Sequence, residues 1–302
     1  MATSPLRPRG GRYLSLGLAA ALGVAAFAAH AGPADVYYER VLMHAADQRC
    51  HLFTPEISAA LAASGLQARG AAFRAGASER DIAGVAGRAE AVVARAGCGP
   101  GELRQAAERV RTAFAGYARM TAMRFPGERS AWAADRDPIA PVVDHRAAAG
   151  PRWRLSEAGD WAGGGSGPVL LGLAGDNASP AVVSGARDGA QASGAFLTVR
   201  DPEKSDTPYL DPYRHDLAGR APPASITRTF AAAARNTAPA SLLPGASGMV
   251  FAFPSTVVRA LEALDPREVV TVDFAYPGRP SERAVFEVGD FAAGRAFLLA
   301  GR

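Results

Sequence analysis

Cysteine is scarce in this sequence, and the residues that bind metals are not grouped in any recognisable pattern. The 302 residues include two cysteines, which are not spaced as a CxxC pair, and five histidines. A zinc site needs about four ligands of these kinds. His44 and His51 lack the four-residue spacing of a helical metal pair. The sequence therefore predicts no metal site.

Glycine is plentiful, but no glycine-rich segment matches a phosphate-binding or nucleophile motif. The run 163–167 lacks the Lys-Ser/Thr of a phosphate loop. Pro168 stands where the last glycine of a GxSxG elbow would be, and the run 245–248 fails the same test. We therefore predict no cofactor and assign no catalytic residue.

Lysine is nearly absent, because Lys204 is the only one and all other basic side chains are arginines. The formal net charge is +4. Three of the arginines lie in the first 31 residues, where there is no acid, so the remainder is close to neutral. No part of it carries the dense basic field that binds phosphate backbones. The sequence predicts no nucleic-acid partner.

Long apolar runs are absent except near the N-terminus. There, arginines precede an apolar run from Leu14 to Ala28, and Ala29-His30-Ala31 has the small-x-small pattern of a cleavage site. This order predicts a secretory signal peptide over residues 1–31. The alternative is an uncleaved anchor, for which the run is short. We expect a periplasmic or secreted protein with no stable membrane span after signal cleavage.

Export decides how the cysteines are interpreted. Two cysteines in an oxidising compartment pair most simply with each other, so Cys50 and Cys98 are predicted to form a disulfide. Two free thiols are the alternative. A bond that closes a loop of this length stabilises the folded chain by about 4 kcal/mol in the chain-entropy model.

Residues 32–125 are predicted to be a helical domain. Apolar residues recur there at spacings of three and four, as in amphipathic helices. Thr54-Pro55-Glu56 and Ser78-Glu79-Arg80-Asp81 have the composition of helix starts. The pattern predicts four helices, of which the last ends at Phe125. Short loops between them favour an up-and-down bundle, clasped by the disulfide.

Residues 152–302 are predicted to be a β-rich domain. Short apolar runs alternate with glycine-rich turns, and Val269–Tyr276 with Arg283–Val288 has the pattern of a hairpin. Many short strands favour an antiparallel β-sandwich-like domain. The segment 126–151 has no clear period and is predicted to be a linker, or a strap across the domain joint that is ordered if Trp132 docks on a neighbouring surface. The expected fold class is therefore α+β, with the helical bundle first.

The C-terminal segment 253–299 carries a family resemblance. It has the order helix, strand, turn, strand, followed by Gly289-Asp290-Phe291-Ala292-Ala293. It resembles the closing segment of the invasion-associated locus B family, which are exported bacterial proteins with a β-sandwich domain. The resemblance implies export and a β-sandwich, and it implies no catalytic residues.

One charged segment, 200–216, is a candidate functional loop. Long loops on β scaffolds often carry function. The candidates in it are Asp206, Asp211, His215 and Asp216. Their residue types suit a divalent ion, but their spacing matches no known calcium or zinc motif. A solvated loop and a partner surface are the alternatives.

The sequence leads to two functional hypotheses. The first is an exported, non-enzymatic protein that binds another protein or a cell-envelope component. The alternative is a hydrolase or metal-dependent enzyme that works at the domain joint and the 200–216 loop. The alternative predicts that His145, which follows Asp144, or His215 converges with acids in one cleft. The lack of a site motif favours the first hypothesis.

Overall fold

The computed structural model describes residues 32–99, 101–136, 151–163, 166–210 and 216–300. The predicted signal peptide, His145, Asp211 and His215 lie outside the described residues. Residues 33–302 form one compact unit by their contacts. The fold is α+β, with helices first and antiparallel sheets after them, as predicted.

The helical part has the predicted starts. Its helices are α1 (Pro33–Cys50), α2 (Pro55–Arg74), α3 (Glu79–Ala96) and α4 (Gly101–Phe114). Ser78 and Asp81 form a capping box, in which each side chain accepts a hydrogen bond from the other residue's backbone N–H. This exchange satisfies two of the N–H groups that a helix start leaves unpaired.

The predicted disulfide between Cys50 and Cys98 is present. The two Cα atoms are 5.6 Å apart. The bond joins the last residue of α1 to the segment just after α3. The C-terminal ends of these two helices are therefore held together.

The structure differs from the prediction after Phe114, where α4 ends. Instead of more helix and a linker, the chain forms β1 (Ala122–Pro126) and β2 (Ala131–Asp135), which pair as a hairpin. Phe125 and Trp132 are each 1% exposed and alternate with exposed neighbours. That period of two is the signature of a half-buried strand. The sequence shows this period of two only if Trp132 is taken as a core residue.

Two antiparallel sheets share one core. The seven-stranded sheet has the order β1-β2-β3-β5-β6-β10-β9, and the five-stranded sheet has the order β4-β12-β11-β7-β8. The rings of Phe251 and Phe274, one from each sheet, are 5.9 Å apart. The remaining strands are β3 (Trp153–Ala158), β4 (Asp160–Ala162), β5 (Val169–Ala174), β6 (Ser179–Gly185), β7 (Gly194–Arg200), β8 (Thr227–Ala231), β9 (Ala234–Thr237), β10 (Gly248–Ala252), β11 (Val269–Tyr276) and β12 (Arg279–Glu287).

The chain crosses between the sheets at Gly159, which lies between β3 and β4. A Cβ atom at this position would lie 2.5 Å from the ring of Phe286, so only glycine fits the corner. The chain also changes sheet at residues 232–233, between β8 and β9, and in the β4–β5, β6–β7 and β10–β11 connections.

Two short helices complete the fold, α5 (Thr256–Glu262) and α6 (Phe291–Leu299). Helix α6 contacts α2 as well as β1, β2 and β3. Arg136, which follows β2 and is 2% exposed, donates hydrogen bonds to the carbonyls of Met120, Tyr117 and Phe297. The helical layer and the sheets are thus packed on each other through α6.

Candidate functional site

The described part of the 200–216 loop does not form a metal site. Asp206 Oδ1 accepts a hydrogen bond from Thr207 Oγ1 at 3.1 Å. Asp216 Oδ2 accepts one from the Gly219 N–H, also at 3.1 Å. Both aspartates are exposed. Within the described ranges, no group of three or more His, Cys, Asp or Glu side chains is placed to hold a metal ion.

The start of this loop has a structural role that the sequence analysis missed. Arg200 and Glu268 form a buried, two-bond ion pair, with N–O distances of 2.6 and 2.9 Å. Arg200 Nη1 also donates to the carbonyl of Ser205 at 2.6 Å. The first residues of the loop are therefore fixed to the β-rich part.

A cluster of two buried glutamates lies where the β1–β2 hairpin meets the sheets. Glu287 accepts hydrogen bonds from the backbone N–H groups of Glu128, Arg129 and Ser130. Ser130 Oγ contacts both Glu287, at 3.2 Å, and Glu157. Glu157 and Glu287 are 2% and 0% exposed. The hairpin turn thus encloses one carboxylate and touches the other.

The Glu157 carboxyl keeps its proton more readily than an ordinary glutamate does. Burial, followed by the charge of nearby Glu287, raises the pKa of Glu157 well above its ordinary value of 4.5. Ser130 has one hydroxyl hydrogen, so it cannot donate to both carboxyls. One arrangement of hydrogen bonds satisfies both contacts: protonated Glu157 donates to Ser130 Oγ, and Ser130 donates its own hydrogen to Glu287. A carboxyl with a raised pKa is typical of acid catalysts, but its burial keeps a substrate from this one.

Open space is found instead beside α1. One cavity of about 660 Å³ lies between α1 and α4, and one of about 570 Å³ lies between α1 and α3. A third, of about 280 Å³, lies between α1 and α2, and we call it the α1–α2 groove. Half-buried apolar residues occur on several sides of α1, so this helix is loosely covered along its length.

The α1–α2 groove has apolar walls and a cationic edge. Arg40 and Arg69 line it together with His44, and no carboxylate does. Arg69 pairs with the exposed Glu79 at 3.3 Å. Leu66 is 36% exposed. The remaining lining residues are Tyr37, Val41, Leu61, Ala62 and Gly65.

Two nitrogen atoms at this groove lack a protein partner. Arg40 Nε and His44 Nδ1 are buried and have no hydrogen-bond partner within the described part of the chain. The Arg40 guanidinium lies 5.5 Å from the centre of the Phe114 ring, which provides a cation–π contact but no counter-charge. A buried polar atom without a partner costs about 1–3 kcal/mol, so an acceptor at this position would be stabilising.

Another cavity, of about 380 Å³, lies between α5, α6 and the β5–β6 turn. Arg259 and Arg295 line it, and Arg295 forms an ion pair with Glu262. Its other walls are largely aliphatic. This cavity is a weaker candidate than the α1–α2 groove, because none of its lining residues has a buried, unpartnered polar atom within the described part of the chain.

Sequence reasoning missed both the glutamate cluster and the groove, although each left a signal. Glu287 interrupts the apolar run from Ala284 to Val288, where an acid is unusual. Tyr37 lies in the apolar core between the helices. However, α1 has apolar residues on more sides than one buried stripe requires.

The comparisons with known proteins identify no relative. No family model matches the chain, and neither a curated protein nor a solved structure does. The resemblance of residues 253–299 to the invasion-associated locus B family therefore stays a prediction. Within the described residues, no helix is long and apolar enough to cross a membrane.

Proposed function

We propose that this chain is an exported, non-enzymatic binding protein whose α1–α2 groove receives a protein or cell-envelope component. The observation that carries the proposal is the composition of the groove. Its walls are apolar, its edge is cationic without a carboxylate, and two buried nitrogen atoms in it lack partners among the described residues. A few polar groups that converge beside apolar walls are typical of ligand sites.

Export is supported by the disulfide between Cys50 and Cys98. Such bonds persist in oxidising compartments and are rare in the cytosol. The predicted signal peptide over residues 1–31 agrees with this, and so does the resemblance of the C-terminal segment to an exported family. Together they support a site of action in the periplasm or outside the cell.

The enzyme alternative depends on residues that the structure does not describe. It predicts that His145 or His215 meets acids in a cleft at the joint. Asp206 and Asp216, the described candidates of the loop, accept hydrogen bonds from Thr207 and Gly219. The glutamate with the raised pKa, Glu157, is buried. The binding hypothesis is therefore the better supported one.

Native mass spectrometry of the processed protein, recovered from its own cell envelope, tests the proposal. We expect a chain that begins at Gly32, the two-hydrogen loss of the disulfide, and a non-covalent adduct. The adduct should be absent from a Leu66→Gln variant, because Leu66 lines the groove. It should persist in an Arg235→Gln variant, since Arg235 is an exposed residue of β9.

Two outcomes would contradict the proposal. In the first, the wild-type protein carries no adduct, so there is no ligand. In the second, both variants retain the adduct, so its binding site lies outside the groove. A bound metal ion would favour the enzyme alternative and direct attention to His145 and His215.

A further inference from the structure

The α1–α2 groove is polar at Arg40 and His44 and again at Arg69, which already has an acidic partner in Glu79, and it is apolar along the rest. Arg40 and His44 are four residues apart on α1, so their side chains are neighbours on one helix face. Val41, Ala62 and Leu66 supply apolar surface beside them. A complementary molecule therefore has an apolar body and one anionic group.

A carboxylate suits the polar position better than a neutral group does. It has two acceptor oxygens, so it can accept hydrogen bonds from Arg40 and from His44 at the same time. Hydrogen bonds between charged partners are about twice as strong as neutral ones. Both side chains line the groove, and each has a buried nitrogen atom, Arg40 Nε or His44 Nδ1, that lacks a partner in the described chain, so turning either side chain toward the carboxylate breaks no hydrogen bond of that atom.

The groove is narrow. A Cβ atom at Gly65 of α2 would lie 3.8 Å from Arg40 Cβ, so the two helices approach closely beside the polar position. The volume of about 280 Å³ is at the lower limit for small-molecule sites. A partner helix is about 10–12 Å across, which is too wide to enter such a space, whereas a single alkyl chain is not.

We infer that the α1–α2 groove binds a single-chain fatty carboxylate, with its head at Arg40 and His44 and its chain against Ala62 and Leu66. This inference rests on the proposed function, because it names the class of ligand for the same groove. The ligand class is consistent with an envelope component, since acyl chains are abundant at membranes.

Titration calorimetry with three probes tests the chemistry of the site. Dodecanoate, below its micelle concentration, should bind to the disulfide-bonded protein. Dodecanol, which has the same chain without the charge, should bind at least about tenfold more weakly, as expected for the loss of a charge-assisted bond. Acetate should not bind measurably. Each methylene added between octanoate and dodecanoate should tighten binding by about fourfold.

Matched variants locate the site. Arg40→Gln should weaken dodecanoate binding about tenfold or more and leave dodecanol binding nearly unchanged. Arg109→Gln is the control, because Arg109 lines the α1–α4 cavity and is exposed. Leu66→Gln, at a partly exposed position that tolerates substitution, should weaken both probes. Circular dichroism confirms that each variant is folded.

Several results would overturn the inference. The first is that dodecanoate does not bind, and the second is that dodecanoate and dodecanol bind with equal affinity. The third is that Arg109→Gln weakens dodecanoate binding as much as Arg40→Gln does. If dodecanoate does not bind but the adduct from the envelope still depends on Leu66, the fatty-carboxylate inference is wrong and the proposed function stands. If dodecanoate does not bind and no Leu66-dependent adduct is found, the inference and the proposed function are both wrong.

Discussion

Arg74, the last residue of α2, forms a two-bond ion pair with Asp290, which directly precedes α6. The N–O distances are 2.8 and 3.0 Å, and the partners are 216 positions apart. The Asp290 side chain has no exposed surface. Burial raises the pKa of Asp290, and the Arg74 charge offsets part of that rise. This pair connects the helical layer to the helix that packs on the sheets.

Replacing Arg74 should destabilise the protein strongly. Arg74→Met leaves the Asp290 carboxyl buried without its cation, which costs about 3–5 kcal/mol in comparable cases. Urea unfolding measures the change. Arg283→Gln is the control, because it breaks the more exposed pair with Asp273 and should cost less than about 1 kcal/mol. The double variant Arg74→Met/Asp290→Asn should regain part of the loss. Equal losses for Arg74→Met and Arg283→Gln would contradict this view.

Gly70 should not tolerate a side chain, because it packs against the buried Asp290 carboxyl. A Cβ atom at this position of α2 would lie 1.9 Å from Asp290 Oδ1. Gly70→Ala should therefore lower the free energy of unfolding by about 1–3 kcal/mol through overpacking. Gly87→Ala, inside α3, is the matched control. A Cβ there meets no atom within 4 Å, so this variant should gain about 0.5–1 kcal/mol from better helix propensity. A gain at both positions would show that Asp290 does not lie against Gly70.

Glu157 should make stability decrease as the pH rises. Its pKa in the folded chain is raised well above its ordinary value of 4.5. Between these two pKa values the folded protein holds a proton that the unfolded chain has released, so the free energy of unfolding falls with pH. Glu157→Gln removes this proton linkage, and its stability relative to the wild type should increase from about pH 5 to about pH 8.

Urea unfolding at both pH values measures the effect. Glu102→Gln, which changes an exposed acid in the first turn of α4, serves as the control and should show no such trend. A Glu157→Gln difference that is the same at both pH values would mean that Glu157 is not protonated in the folded chain.

Local sequence predicted those parts of the fold that local chemistry decides. The α3 capping box needs only Ser78 and Asp81, three residues apart, and the sequence shows it. The glutamate cluster could not be predicted, because Ser130 meets Glu157 and Glu287 across 27 and 157 positions. Likewise, nothing in the spacing of α1 indicates which of its apolar sides the other helices leave uncovered.

The disulfide should stabilise the end of α1 beside the groove. Asp47 accepts hydrogen bonds from the N–H of Phe53 and from Ser58 Oγ, so the C-terminal half of α1 has a second anchor besides Cys50. Cys50→Ser/Cys98→Ser should lower the free energy of unfolding by about 4 kcal/mol. Hydrogen exchange should show the loss of protection mainly in α1 and α3, whose ends the bond joins.

A reductant provides the control for the disulfide prediction. It should reproduce the loss in the wild type and have no effect on the double serine variant. Because the sheets and α6 form a core to which neither cysteine belongs, exchange in β11 and β12 should be unchanged under conditions where the protein stays folded. Loss of protection in those strands would mean that the helical layer and the sheets unfold as one cooperative unit, and that the bond acts on the whole fold rather than on α1.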